Sequence, residues 1–462
     1  MARKWNGKAM LLFGLYTFYY LVMELVLNDH AAPVIGEKNV TTLYGICYLL
    51  VGIGYPSYYV IHKWTARRKG EHLWVIGLGI ISLYAALTAT FVKSGFALTL
   101  SALVAHFAAG VVGGAVYYRV ATLLSHTQSI GWHIGIAYAS ANLVQMLGLL
   151  AIADASDTYT EWFERIVITV AVLLFSYLMR KPAPEIPAEV SSELSPTTSE
   201  NPVPSSSRNR QKYLLGALVS IAVLALMFGI TDGIITAIHA GGGEFVAYGY
   251  PRFFVIPGLL FAGWVADRKN KSLFAFGTLA AMIIVVIAVL LFYNPESHNI
   301  AVTFVYFFAS FLIIYSVSVF LETAPHTPLP ALVAGSGRGV RYFFSGLAII
   351  VTGSLWETAS VTSLLIVYIV LVVLSFTIFF FMGHLQIHAP IAAPAAATPL
   401  DLSAYHLTAR ETEVLMLLLD GKSTTAIAET LFVSERTVRS HISNLLAKTQ
   451  SKTRVEMITR LK

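Results

Sequence analysis

Cysteine is nearly absent: the 462 residues hold one, Cys47. A single thiol closes no internal disulfide and builds no thiolate metal cluster, so a disulfide scaffold and a cysteine zinc site are both excluded. Charge is scarce as well. Asp, Glu, Lys and Arg make up 12% of the chain, against about 25% in an ordinary soluble domain. No nucleophile–base pair, phosphate-cradling loop or His/Cys ligand spacing is present, so no enzyme activity, cofactor or metal is expected. What the chain has instead is apolar residues, 56% of the total, and 12% aromatics, with a mean hydropathy of +0.69. That balance belongs to a protein solvated by lipid.

Apolar runs close to the roughly 20 residues that cross a bilayer recur along most of the sequence. They lie at 9–28, 40–61, 73–92, 96–118, 130–152 and 162–179, then at 213–236, 246–266, 272–293, 300–321, 340–356 and 360–382. The first follows Arg3, Lys4 and Lys8, contains Glu24 and lacks a small-residue cleavage site, so it is expected to stay as a membrane span. The expected domains are therefore a six-helix half at 1–180, a linker at 181–211, a second half at 212–382, a linker at 383–402 and a tail at 403–462. The first linker is rich in Pro, Ser, Thr and Glu and cannot bury a core. The second holds an Ala/Pro run.

Basic residues set the orientation. Lys63, Arg67, Arg68, Lys69, Arg180, Lys181, Arg208, Arg210, Lys212, Arg268, Lys269, Lys271, Arg338 and Arg341 fall at loops of one side, with the N-terminal bases. The opposite loops carry Asp29, Glu37, Asp154, Asp157, Glu161, Glu244, Glu296 and Glu357, with few bases. The positive-inside rule then puts both termini in the cytoplasm of a multi-pass protein, expected in the inner (plasma) membrane.

Two blocks of six spans joined by a long loop resemble the major facilitator superfamily. Gly263, Asp267, Arg268, Lys269 and Lys271 after span 8 are similar to that family's loop motif, and Phe13-Gly14 and Phe228-Gly229 echo each other between the halves. The loop after span 2 keeps the bases but has no Asp. In family transporters that carboxylate takes part in the cytoplasmic gate, so its absence argues against transport and for a bundle reused as a sensor.

Ionisable groups inside spans usually face the bundle interior and have partners. Glu24, Asp232 and Arg252 lie in the outer halves of spans 1, 7 and 8, and His106, Asn142 and Gln145 nearer the middle of spans 4 and 5. The resemblance implies a central cavity lined by spans 1, 4, 7 and 10. Tyr20, Glu24, His106, Asn142, Asp232 and Arg252 are thus the candidate ligand site, with Tyr16 and Tyr19 as aromatic wall. Structural roles compete: Glu24 and Arg252 as residues reaching to water, His106 as a satisfied interior histidine, the tyrosines as interface belt. Arg119, Asp267 and Glu322 form a candidate inner gate. Arg341 shares that end, where headgroup anchoring is the preferred reading.

The tail changes character. Thr408–Glu411 and Thr453–Glu456 have capping-box spacing, Ser423 and Ser434 suit N-caps, and Gly421 suits a chain reversal. Apolar residues recur at helical spacing: Val414, Leu415 and Leu418, then Ile427 and Leu431, then Val438, Ile442 and Leu445, then Val455 and Ile458. Four short helices follow from this. The third carries Arg436, Arg439, Ser440 and Ser443 opposite its apolar stripe, a face suited to a major groove.

Leu407–Leu415, Ile427–Ser434 and Thr437–Leu445 resemble the LuxR/NarL helix-turn-helix family over the whole tail. The resemblance implies base-facing roles for Arg439, Ser440 and Ser443, phosphate contacts for Thr437 and His441, and dimerisation through helix 453–461. Arg436 joins them on the same face. The departure is Thr424-Thr425-Ala426, where relatives carry a polar or basic residue plus a Glu. The whole chain is thus expected to be all-α: a polytopic bundle of 6+6 helices with a four-helix tail. The expected function is a membrane-embedded one-component transcription regulator, in which an unknown small molecule bound by the bundle controls duplex DNA binding, as a homodimer on a two-fold operator. The alternative is a transporter that also regulates transcription.

Overall fold

The computed structural model describes residues 6–65, 70–125, 127, 129–151, 157–180, 207–240, 250–268, 271–292, 297–355, 361–387, 405, 407–419, 423–431, 433–449, 451, 453 and 456–457. The chain divides into two compact units, Met1–Pro390 and Ile391–Lys462. Among the described residues both are built from helices with no strand.

The first unit holds twelve long helices among its described residues: α1 (Gly7–Ile35), α2 (Glu37–Thr65), α3 (Glu71–Phe91), α4 (Gly95–Leu124), α5 (Ile130–Ala151), α6 (Asp157–Met179), α7 (Ser207–Ala240), α8 (Val255–Ala266), α9 (Lys271–Leu291), α10 (His298–Thr323), α11 (Pro330–Leu355) and α12 (Val361–Ile387). Seven of their described stretches are long and apolar enough to cross a membrane, and three shorter ones are apolar as well. Leu, Phe, Val and Ile remain exposed around the outside of α3, α6, α9 and α12, where lipid tails would solvate them as well as protein does. The α3–α6 pair packs against α1 and α4, and α9 and α12 stand against α7 and α10.

The twelve helices match the twelve runs read from sequence, apart from α8, which starts nine residues later than its run, and one consequential shift at α11. The run placed at 340–356 starts ten residues earlier, as α11 from Pro330. Arg338 and Arg341 therefore stand inside the helix and are buried, so Arg341 is not a headgroup anchor. The linker expected at 181–211 ends sooner, because α7 begins at Ser207, and residues 181–206 lie outside the described residues. The second linker likewise starts later, since α12 runs to Ile387, and residues 388–404 lie outside the described ones.

Two seams join the halves, α2 on α11 and α5 on α8. Both depend on close backbone approach. A Cβ on Gly52 would sit 2.6 Å from the Phe343 nitrogen, and one on Gly263 would sit 2.6 Å from the Gly131 oxygen. Close approach of this kind lets helices gain dispersion contacts in a solvent that offers no hydrophobic drive.

The second unit has α13 (Ala409–Leu419), α14 (Thr424–Leu431) and α15 (Glu435–Lys448). Val414, Leu415, Leu418, Ile427, Ala428, Val438, Leu445 and Met457 form its own core. The expected fourth helix at 453–461 lies mostly outside the described residues, although the Glu456 N–H bonds the Thr453 hydroxyl at 3.1 Å.

Candidate functional site

In the tail, local hydrogen bonds fix each helix start. The Thr408 N–H donates to Glu411 Oε2 at 2.8 Å while the Glu411 N–H donates to Thr408 Oγ1 at 3.2 Å, a reciprocal capping box. The same carboxylate accepts from Lys448 Nζ at 2.7 Å, tying the start of α13 to the end of α15. The Lys448 ammonium, with help from the Thr408 groups, holds the Glu411 carboxyl down at about 2. Ser434 caps α15, its hydroxyl accepting from the Thr437 N–H at 3.1 Å.

That cap sets the phase of α15. Val438 and Leu445, seven residues apart, point into the core. Arg436, Thr437, Arg439, Ser440 and Ser443 are exposed together, and His441 is half-buried at their flank. Thr425 of α14 donates to Glu435 at 2.6 Å, and Glu435 Oε2 accepts from Arg439 Nη2 at 3.1 Å. The departure at Thr424-Thr425-Ala426 thus has a structural use: Thr425 joins α14 to the start of α15. Arg410 Nη2 donates to the Leu431 carbonyl at 2.8 Å and binds α13 to α14. The result is a short helix, a turn and a longer helix with one apolar face and one Arg/Ser/Thr face.

The bundle has its own polar centre. Tyr20 and Glu24 of α1, Tyr44 and Tyr48 of α2, Asp232 of α7 and Arg341 and Tyr342 of α11 lie within electrostatic reach of one another. Tyr44 hydrogen-bonds Asp232 and, at 2.6 Å, Tyr48. Glu24 Oε1 and the Tyr20 hydroxyl are buried with no hydrogen-bond partner. Arg341 lies over the rings of Phe228 and Tyr342, 4.9 and 5.6 Å from their centres.

Of the six residues expected at the ligand site, Tyr20, Glu24 and Asp232 come together here. His106 meets Tyr20 edge to face at 6.2 Å and bonds its own helix at the Ala102 carbonyl, 2.8 Å away. It lines a small cavity with Tyr44, Cys47 and Ala102. Asn142 turns onto its own helix at the Tyr138 carbonyl, 2.9 Å away. Arg252 donates to Gln145 at 2.7 Å, and Gln145 donates to the Leu21 carbonyl at 3.0 Å, a chain that crosses from the second half to the first.

The three residues grouped as a gate fall in three environments. Arg119 reaches the Leu178 carbonyl at 3.3 Å and lies in the field of Tyr58 and Glu71. Asp267 accepts from the Gly131 and Trp132 N–H groups at 2.8 and 2.9 Å, capping the α5 start. Glu322 lies near Tyr213. Sequence reasoning missed Tyr44, Tyr48, Arg338 and Tyr342, because α2 and α11 were not counted among the lining helices. The i, i+4 spacings Tyr44–Tyr48 and Arg338–Tyr342 were the available signal.

The chain thus joins a bundle of two six-helix halves with a polar centre to a small unit built as a helix-turn-helix. Residues 405–461 match the family described as bacterial regulatory proteins, luxR family. Spore germination protein GerE of Bacillus subtilis is 49% identical over 55 residues, which is 12% of this chain and 74% of GerE. Transcriptional regulatory protein DesR of the same organism is 47% identical over 72 residues, 16% of this chain, and the chain spans only 36% of its length. Through its tail the chain belongs to the luxR family. Over 83% of its length the chain is similar in fold to an auto-inhibited POT family peptide transporter, with a TM-score of 0.53 and 13% identity over 95% of that chain. It is also similar to the human organic anion transporter MFSD10 (TETRAN), with a TM-score of 0.54 and 16% identity over 82% of this chain and 97% of that one.

Proposed function

We propose that this protein is a membrane-embedded one-component regulator: the bundle binds a small molecule, and binding changes how the tail engages DNA. The observation that carries the reading is the join itself, an exposed Arg/Ser/Thr helix face in the same chain as a bundle whose centre buries the Tyr20 hydroxyl and Glu24 Oε1 without hydrogen-bond partners. A ligand that binds two bundle conformations unequally shifts their populations, and only that difference can reach the tail. In this reading both termini are cytoplasmic, α15 enters the major groove, and two tails pair through the last helix on a two-fold site. Arg439, Ser440 and Ser443 read bases. Thr437 and His441 hold phosphates, and Arg436 adds charge beside them.

The test is to recover and sequence DNA held by the full-length protein in native membranes, then repeat with Arg439→Ala. The variant is expected to insert normally and to lose the specific sites, since a good bidentate base contact carries about 1–3 kcal/mol of discrimination. Recovery of the same sites by the variant would remove α15 from base reading. A second reading, a carrier that also regulates, draws on Glu24 and Asp232, since paired interior carboxylates are the usual equipment of proton-coupled transport. Flux through vesicles of protein lacking residues 401–462 would favour it.

A further inference from the structure

Arg338 stands a third of the way along α11 and is 5% exposed. Its Nη2 donates to the Tyr342 hydroxyl at 2.7 Å, and its guanidinium lies 4.4 Å from the Tyr342 ring centre and 5.4 Å from that of Tyr138. Nε and Nη1 are buried with no hydrogen-bond partner, and among the described residues no ion pair joins Arg338 to a carboxylate. Tyrosines account for its electrostatic surroundings: Tyr138, Tyr342, Tyr117 and Tyr55. A guanidinium stays charged under all ordinary conditions, so burial without a counter-charge is costly and is seldom kept unless something supplies one.

The rings around it are themselves ordered. Tyr55 stacks on Tyr342 at 6.1 Å with planes 16° apart, and Tyr117 meets Tyr55 at 5.2 Å. The Tyr16 hydroxyl bonds the Ala109 carbonyl and the Tyr55 hydroxyl at 3.0 and 3.1 Å. Aromatic walls of this kind favour a flat apolar body, which stacks without needing hydrogen bonds. A second mismatch, of opposite sign, lies at Glu24. Glu24 Oε1 is an acceptor without a donor, and Glu24 shares the field of Tyr20 and Tyr342.

We infer that Arg338 is the anion-binding residue of the bundle, and that the ligand is an aromatic carboxylate bearing a hydrogen-bond donor at its far end. The carboxylate accepts charge-assisted hydrogen bonds from the guanidinium N–H groups that Tyr342 leaves open. The ring lies among Tyr55, Tyr138 and Tyr342. A hydroxyl at the far end donates to Glu24. This rests on the proposed reading of the bundle as a sensor and gives that sensor a ligand class.

The experiment uses the full-length protein in lipid nanodiscs and follows thermal unfolding and binding heat. The probes are benzoate, phenylacetate and 3-phenylpropanoate, each with and without a 4-hydroxyl, and the corresponding carboxamides. At least one 4-hydroxy carboxylate is expected to stabilise the protein and its amide is not. Arg338→Met is expected to weaken that carboxylate at least tenfold, and Glu24→Gln to remove the preference for the 4-hydroxyl compound. Without ligand, Arg338→Met is expected to melt no lower than the wild type, because it loses an uncompensated charge. Indifference to every carboxylate, equal response to acid and amide, or a ligand-free Arg338→Met that melts lower would each overturn the inference. Carboxylate binding that leaves DNA occupancy unchanged would uphold the site and refute the sensing role. DNA occupancy that answers to other compounds while no carboxylate binds would do the reverse.

Discussion

Replacing Gly52 by alanine tests the α2–α11 seam. The added Cβ meets the Phe343 nitrogen at 2.6 Å, the Gly339 oxygen at 2.8 Å and the Phe343 Cα at 2.9 Å. All three are backbone atoms, so no rotamer change relieves them. Nor can α2 simply retreat, because on its other side a Cβ at Gly54 would already lie 2.7 Å from the Phe107 oxygen of α4. The helix must tilt. Overpacking of this kind costs about 1–3 kcal/mol. If the strain falls on this packed arrangement alone, any arrangement with the seam parted gains about 5- to 150-fold in population. Cys47, one and a half turns along α2, is a built-in probe: it is 3% exposed and is the single cysteine of the chain. Its alkylation by a maleimide in native membranes is expected to accelerate by a factor in that range. An unchanged rate together with an unchanged melting temperature would mean that the seam is not closed in this way.

Three further outcomes are expected. Leu445→Ala should cost about 2–5 kcal/mol, which is most of the roughly 3–9 kcal/mol available to a sixty-residue unit, so circular dichroism of the isolated tail should show partial unfolding at 25 °C, whereas a native spectrum and unchanged midpoint would exclude Leu445 from the core. The Glu411 carboxyl is held below its ordinary 4.5, at about 2, so its contribution to tail stability is complete above 4.5 and is lost as pH falls from there through about 2. Melting of the wild-type tail should drop across that window, Glu411→Gln should flatten this part of the profile, and parallel profiles would refute the Lys448 pairing. Asp232→Asn should shift or abolish the ligand response measured by DNA occupancy, because Asp232 bonds Tyr44 beside Glu24; a normal dose response would take Asp232 out of the site.

The elements themselves were legible because lipid and groove each demand a simple pattern. Long apolar runs mark spans, and the Thr408–Glu411 capping box and Ser434 mark helix starts by local chemistry alone. The tail face was legible for the same reason: once the cap fixes the phase of α15, Val438 and Leu445 go inward and Arg439 goes outward. The bundle centre was legible only in part. Glu24 and Asp232 stand out against apolar neighbours, but hydropathy cannot say which helix faces which. Arg338 and Arg341 open a run that reads as apolar only from residue 340, so their charge placed them at the membrane edge. Pro330 begins the helix ten residues sooner and carries both arginines inside. The three residues grouped as a gate have different partners for a related reason: proximity to one membrane face does not fix position around the bundle, and Asp267 meets the open N–H groups of α5.

The pair between Glu435 and Arg439 has a consequence for search along a genome. Arg439 is 72% exposed, so the contact is worth little as an anchor. It does set a negative charge beside the Arg439 guanidinium. If α15 reads DNA as proposed, backbone phosphate would be repelled at that spot, whereas guanine would offer its acceptor edge to the guanidinium. Selectivity would then begin with repulsion of the wrong surface, and residence would lengthen only where the base beneath is right.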